Sequence, residues 1–232
     1  MSPRDDESVD PMLVLRTFGR ITISDAVTIF VLSILYFVAS MSIVTIGPAL
    51  LALMDAFYSS VSHTGTGGGA PTSTRGRASH FVSSIWTYLR TGLPYTVAVI
   101  IAVYSLISYS WLVFTGGSIP SIVFGVLGIY VSILGLVLLF RAADIVVRAD
   151  DEERPRFFSA LRLAWRSLWS NVALAGVHIV TATVVTLVMM VFVATAVCFL
   201  PGLLALLELL NYEELDGAGA KAIRFAYLDP QT

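Results

Sequence analysis

From Gly92 to Phe114 the chain carries no charged side chain. A helix of about 20 apolar residues is long enough to cross the hydrocarbon core of a bilayer, so such a run constrains the fold more than any motif in the chain. Apolar runs, interrupted by Asp25, Arg141 and Asp144, also occupy 24–45, 119–147 and 171–199. Charged residues make up 13% of the chain, against about 25% in a soluble domain. The expected fold is all-α, a polytopic membrane helix bundle forming one integral membrane domain over residues 1–232.

Two shorter apolar segments, 48–62 and 201–215, follow Gly47-Pro48 and Pro201-Gly202. They read almost alike: Pro48-Ala-Leu-Leu-Ala-Leu-Met-Asp55 and Pro201-Gly-Leu-Leu-Ala-Leu-Leu-Glu208. Each opens on a proline, which suits a helix start, and reaches a carboxylate seven residues later. Fifteen residues of helix cover about 22 Å, so each segment is a short span or a re-entrant helix. Charge placement favours about six crossings. The turns at 47–48, 115–120 and 200–202 then share one side and hold no charge, whereas Arg16, Arg20, Arg75, Arg77, Arg148, Arg154 and Arg156 fall on the other. Positive loops mark the cytoplasm, which puts both termini there and the protein in the cell membrane. Met1–Asp10 is acidic, unlike the basic start of a secretory signal. Both proline segments run inward, so the two halves form an internal parallel pseudo-repeat.

Phe81–Arg90 and Phe157–Trp169 are amphipathic, with aromatics opposite arginines, and suit cytoplasmic helices lying at the headgroups. They align with each other at Phe81/Phe157, Ser83/Ser159 and Arg90/Arg166. Residues 63–79 read as a flexible Gly/Ser/Thr-rich cytoplasmic loop. Residues 1–11 read as a disordered tail and 216–232 as a cytoplasmic tail.

Ser121, Gly125, Gly128, Ser132 and Gly135 recur at spacings of four and three. That places them on one helix face, where small residues let backbones approach in lipid. Such a face serves internal packing or a homodimer contact. The intramembrane ionisable residues are Asp55, Glu208, Arg141 and His178. A charge at that depth is costly and needs a partner. They form a candidate polar cluster, with Arg141 and His178 available to one or both carboxylates, in either a structural or a solute- or proton-handling role.

Other functions have little to stand on. The net charge of −2 gives no basic surface for nucleic acid. The single Cys198 excludes an internal disulfide and a cysteine metal cage. No metalloprotease or nucleophile-elbow motif is present, so no metal, cofactor or catalytic residue is expected.

The run Ile43-Val44-Thr45-Ile46-Gly47-Pro48-Ala49 closes the first span and opens the helix at Pro48. It resembles the YesL family (domain of unknown function family 624), and with the Phe81–Arg90 helix and the Pro201 segment the likeness covers roughly residues 12–215. The chain departs from that pattern at Ser42, where the family commonly has Pro, and at Ser33, where it often has Asn. Its Gly-rich loop is also longer. The resemblance implies a small multi-pass bacterial membrane protein of no established activity, often found beside carbohydrate-uptake and polysaccharide-degradation genes. The expected function is a non-enzymatic accessory or interaction component of a membrane system, possible systems including carbohydrate uptake. Its partners would be the lipid bilayer and a transporter permease or a second copy of the chain. The alternative is a small-solute or proton-coupled transporter using the Asp55/Glu208 pair.

Overall fold

The computed structural model describes residues 10–62, 73–150 and 153–216. Among them the chain is helical throughout, with no strand. The elements are α1 (Pro11–Ser24), α2 (Ala26–Ser40), a 3₁₀ turn (Ile43–Thr45), α3 (Ile46–Ser62), α4 (Thr74–Thr87), α5 (Leu89–Thr115), α6 (Ile119–Arg148), α7 (Phe157–Ser170), α8 (Val172–Val191) and α9 (Val193–Asp216). Helices α5, α6, α8 and α9 are long and apolar enough to cross a membrane. The pair α1 and α2 makes a fifth if it counts as one broken span, bent by 83°, and α3 is shorter.

Several boundaries depart from the sequence expectation. Residue 11 lies in a helix, because the Asp10 carboxylate caps α1 by accepting from the Met12 and Leu13 N–H groups and Pro11 is set for a helix start. Residues 1–9 and 217–232 of the expected tails lie outside the described residues. The expected loop 63–79 ends at Ser73, whose hydroxyl accepts from the Gly76 N–H and starts α4; residues 63–72 lie outside the described ones. Of the expected first span 24–45, residues 26–40 form α2, bounded by the bend at Asp25 and the 3₁₀ turn from Ile43.

The largest correction concerns Pro201. It opens no helix but lies inside α9, and the break in the chain comes at Phe192 instead. A proline inside a helix removes one backbone hydrogen bond, and in membrane helices a neighbouring hydroxyl can compensate. Here Ser33 of α2 takes up backbone groups on either side of Pro201, donating to the Phe199 carbonyl at 3.3 Å and accepting from the Gly202 N–H at 3.0 Å. Pro48, by contrast, does lie in the first turn of α3.

Three helices of 14 residues, α1, α4 and α7, each lead into a longer outgoing helix and then a returning one. The returning helices α3, α6 and α9 pack against one another at the centre. Helix α4 lies on α3, α7 on α6, and α1 on α9. Ala49–Met54 of α3 and Ala205–Leu207 of α9 are almost wholly buried. The outer faces of α5, α6 and α8 instead expose large apolar side chains such as Tyr104, Phe124 and Val188, the pattern expected of lipid-facing surface. Arg141, Asp144 and Arg148 lie in the C-terminal third of α6, and Glu208, Glu213 and Glu214 in the C-terminal half of α9.

Candidate functional site

The four residues of the expected cluster divide between two separate sites. The first joins α6, α8 and α9. Glu208 of α9 and Arg141 of α6 are buried to within 1% of completeness, and the Arg141 Nε donates to Glu208 Oε1. The second Glu208 oxygen lies 3.4 Å from His178 Nε2 on α8. Arg141 also donates from Nη1 to the Ser167 hydroxyl of α7 at 3.0 Å. Arg141 lies about 10 Å from Arg148 at the end of α6, and His178 about 9 Å from the start of α8, at 1.5 Å per residue. A cavity of about 10 Å³ touches His178, Phe140, Thr186 and Leu204, room for about one water.

Asp55 does not belong to this cluster. It faces α4, where its Oδ2 accepts from the Ser84 hydroxyl at 2.6 Å and lies 3.0 Å from His80 Nε2. The expectation of an Asp55/Glu208 pair fails because α4 packs directly on α3 and reaches Asp55 first. The depths differ as well: Glu208 is about 22 Å along α9 from its start, not about 10 Å from an outer turn, since α9 begins before Pro201. His80 is on α4, outside the long apolar helices. Its pKa is raised above the ordinary histidine value, chiefly by its hydrogen bond to Asp55, with burial opposing.

A further group, which sequence reasoning overlooked, continues the first site toward the charged helix ends. Arg148 of α6 pairs with Asp144 one turn back at 3.0 Å and with Glu213 of α9. Its guanidinium lies 4.4 Å from the Tyr58 ring centroid and 4.5 Å from that of Tyr212, so one cation ties α3, α6 and α9 together. The i,i+4 spacing of Asp144 and Arg148 was a usable signal, but Arg148 reads equally well as a loop charge marking the membrane boundary. Arg77, half of another pair, lies 2.5 Å from Asp25 and pins α4 to the bend between α1 and α2. Among the described residues no group of three or more His, Cys, Asp or Glu could hold a metal ion.

Of the small-residue face on α6, Gly125 and Gly128 pack on α5, where an added Cβ would strike Val113 or the Tyr109 ring. Ser121 lies near Gly116, and the Ser132 hydroxyl bonds back to the Gly128 carbonyl. Gly135 has open space beside it. The face therefore serves internal packing over part of its length. The motif 43–49 forms the 3₁₀ turn and the start of α3. There Gly47 abuts Gly92 so closely that any Cβ would overlap the Gly92 carbonyl.

Chemically, the first site is a set of opposed charges in fixed contact. Removing either member of a buried pair leaves an uncompensated charge, at a cost of about 3–5 kcal/mol. No protein-family model matches the chain, and no curated protein or solved structure proved similar to it.

Proposed function

We propose that this chain is a non-enzymatic, YesL-type integral membrane protein of about six crossings, with both termini in the cytoplasm of the cell membrane. Its role is that of an accessory component that docks on another membrane protein, a carbohydrate-uptake permease being the partner the family resemblance suggests. In the six-crossing arrangement α2 and α3 form the first pair of spans, with α3 short. The order of elements supports a parallel repeat: α1–α2–α3 and α7–α8–α9 follow one plan, and α4–α5–α6 follows it a third time.

The observation that carries this reading is the matching of charges inside the bundle. Arg141 is held by Glu208, and Arg148 by Asp144 and Glu213. Charges locked in this way bind helices to one another, whereas a transport site needs groups that exchange partners with a solute. The transport alternative rested on Asp55 and Glu208 acting together, and the two carboxylates have different partners.

The reading is tested in two arms. Affinity purification from mild detergent should recover a permease subunit in stoichiometric amount. Proteoliposomes holding the purified chain should show no proton or sugar flux above empty vesicles. Flux that disappears in Glu208→Gln, with the thermal unfolding midpoint retained, would overturn the accessory role in favour of transport.

A further inference from the structure

Helix α1 meets α2 at a bend of 83°. If α2 is the span of that pair, α1 lies across the bundle instead of along it. The residues of α1 sort by spacing into three strips. Val14, Phe18 and Ile21 are buried, on the helix that packs against α9. Met12, Leu15, Gly19 and Ile23 recur at intervals of three and four, so they share another side, and all four are exposed. Arg16 and Arg20 stand beside that strip and are exposed as well. The surface that α9 leaves free is therefore apolar along one strip and basic along the next.

The apolar strip does not stop at the bend. Ile23 is 82% exposed, and Val27, four residues on in α2, is 68% exposed. Phe30 continues the exposed apolar surface along α2. A span turns such side chains to hydrocarbon, whereas the guanidiniums of Arg16 and Arg20 need water or phosphate. The boundary between the two media thus falls at α1.

We propose that α1 is a membrane-interface anchor, its Met12, Leu15 and Ile23 strip resting in the bilayer where headgroups meet acyl chains. Arginine can bury its stem against apolar surface and keep its head in the wet layer, and adjacent apolar and basic strips are the pattern of a helix lying in that plane. Asp5, Asp6, Glu7 and Asp10 precede α1 in the sequence, so the arginines give no preference for anionic lipid, and a zwitterionic surface suffices. The occupant is named by continuity with the lipid-facing side of α2. The placement depends on α2 being a span and not on the accessory role.

Fluorescence quenching of the full chain in phosphatidylcholine nanodiscs tests the placement. In a Cys198→Ser background, a bimane label is attached in turn at Met12→Cys, Leu15→Cys, Ile23→Cys and Arg20→Cys, each variant keeping the unfolding midpoint of its parent. The first three labels should be quenched several-fold more by lipid brominated near the headgroup end of its chain than by lipid brominated near the methyl end. They should also resist aqueous iodide, to which the Arg20 label should respond several-fold more strongly. The three apolar positions report separately, so one that folds suffices. Iodide quenching of the apolar strip equal to that at Arg20 leaves α1 in water and overturns the anchor. Protection from both bromine and iodide overturns it in favour of a covering protein or a second copy. Strongest quenching by the deep bromines makes α1 part of a broken span and overturns the interfacial placement. The accessory role survives each of these outcomes, because copurification reads it independently.

Discussion

In α3 the proline stands in the first turn, and the carboxylate seven residues on ends beside a histidine whose side chain is 35% exposed. In α9 the corresponding proline stands mid-helix, and the carboxylate is sealed against an arginine with no exposure. The two segments are nearly the same sequence, so the difference comes from what packs on them. Around the prolines the solutions converge. Ser33 of α2 bridges Phe199 and Gly202 in α9. At α3, Thr96 of α5 accepts from the Gly47 N–H at 2.9 Å and donates to the Val44 carbonyl at 3.3 Å. In both places a hydroxyl from a neighbouring outgoing helix takes up backbone groups beside the proline, and a glycine lets that helix approach. Local sequence thus sets the backbone repair, while tertiary packing sets the fate of the charge.

The sharpest way to break this contrast is at the carboxylates. Glu208→Leu leaves Arg141 buried without its main counter-charge and should cost about 3–5 kcal/mol, much of it restored by Arg141→Leu in the double variant. Asp55→Asn, at a partly exposed pair, should cost about 1 kcal/mol or less. Denaturant unfolding in micelles measures both, and equal losses would erase the distinction.

The glycines come next. Gly47→Ala forces a methyl into the Gly92 backbone and should destabilise by about 1–3 kcal/mol, as overpacking does. Gly202→Ala meets first the Ser33 hydroxyl at 2.7 Å, a side chain that can give by a few tenths of an ångström where the Gly92 backbone cannot, and should cost less. Unfolding midpoints in the reverse order would show that α2 and α9 are the more rigid pair. The bridging hydroxyls should behave alike: Thr96→Val and Ser33→Ala each remove a buried hydrogen-bonding group and should cost about 1–3 kcal/mol. A large difference between these two would separate the proline sites after all.

The smallest effect is one of pH. Because the folded-state pKa of His80 is raised, its pairing with Asp55 contributes stability that is complete below about pH 6.5, the unfolded value, while the carboxylate stays ionised. That contribution is lost as pH rises through the folded value. The stability difference between the unmodified chain and His80→Gln should therefore shrink from pH 6 to pH 8.5. For Glu208→Leu no such histidine dependence is expected from His80, and a matching pH profile there would couple the two sites.

The long uncharged runs made the helical class legible, since periodicity and length need no tertiary information. The contact among Arg141, Glu208 and His178 is legible as ionisable residues within apolar runs that need partners, though not from depth, since α9 begins well before Pro201. The rest could not, and for identifiable reasons. Pro201 reads as a helix start because its compensating hydroxyl lies in α2, far away in sequence. Asp55 reads as a partner for Glu208 because His80 and Ser84 stand beside a stretch that composition marks as loop. Arg148 looks like a boundary charge until Tyr58, Tyr212 and Glu213 surround it.

The bond from Gly202 to Ser33 joins residues 169 positions apart. At a synthesis rate of about 5–20 residues per second, α2 is made on the order of ten seconds before the backbone it completes exists. Until then Ser33 and the buried face of α3 must be satisfied by lipid, water or an assembly factor. A ribosome that stalls before Leu200 leaves α3 and α6 without the third helix of the bundle's centre.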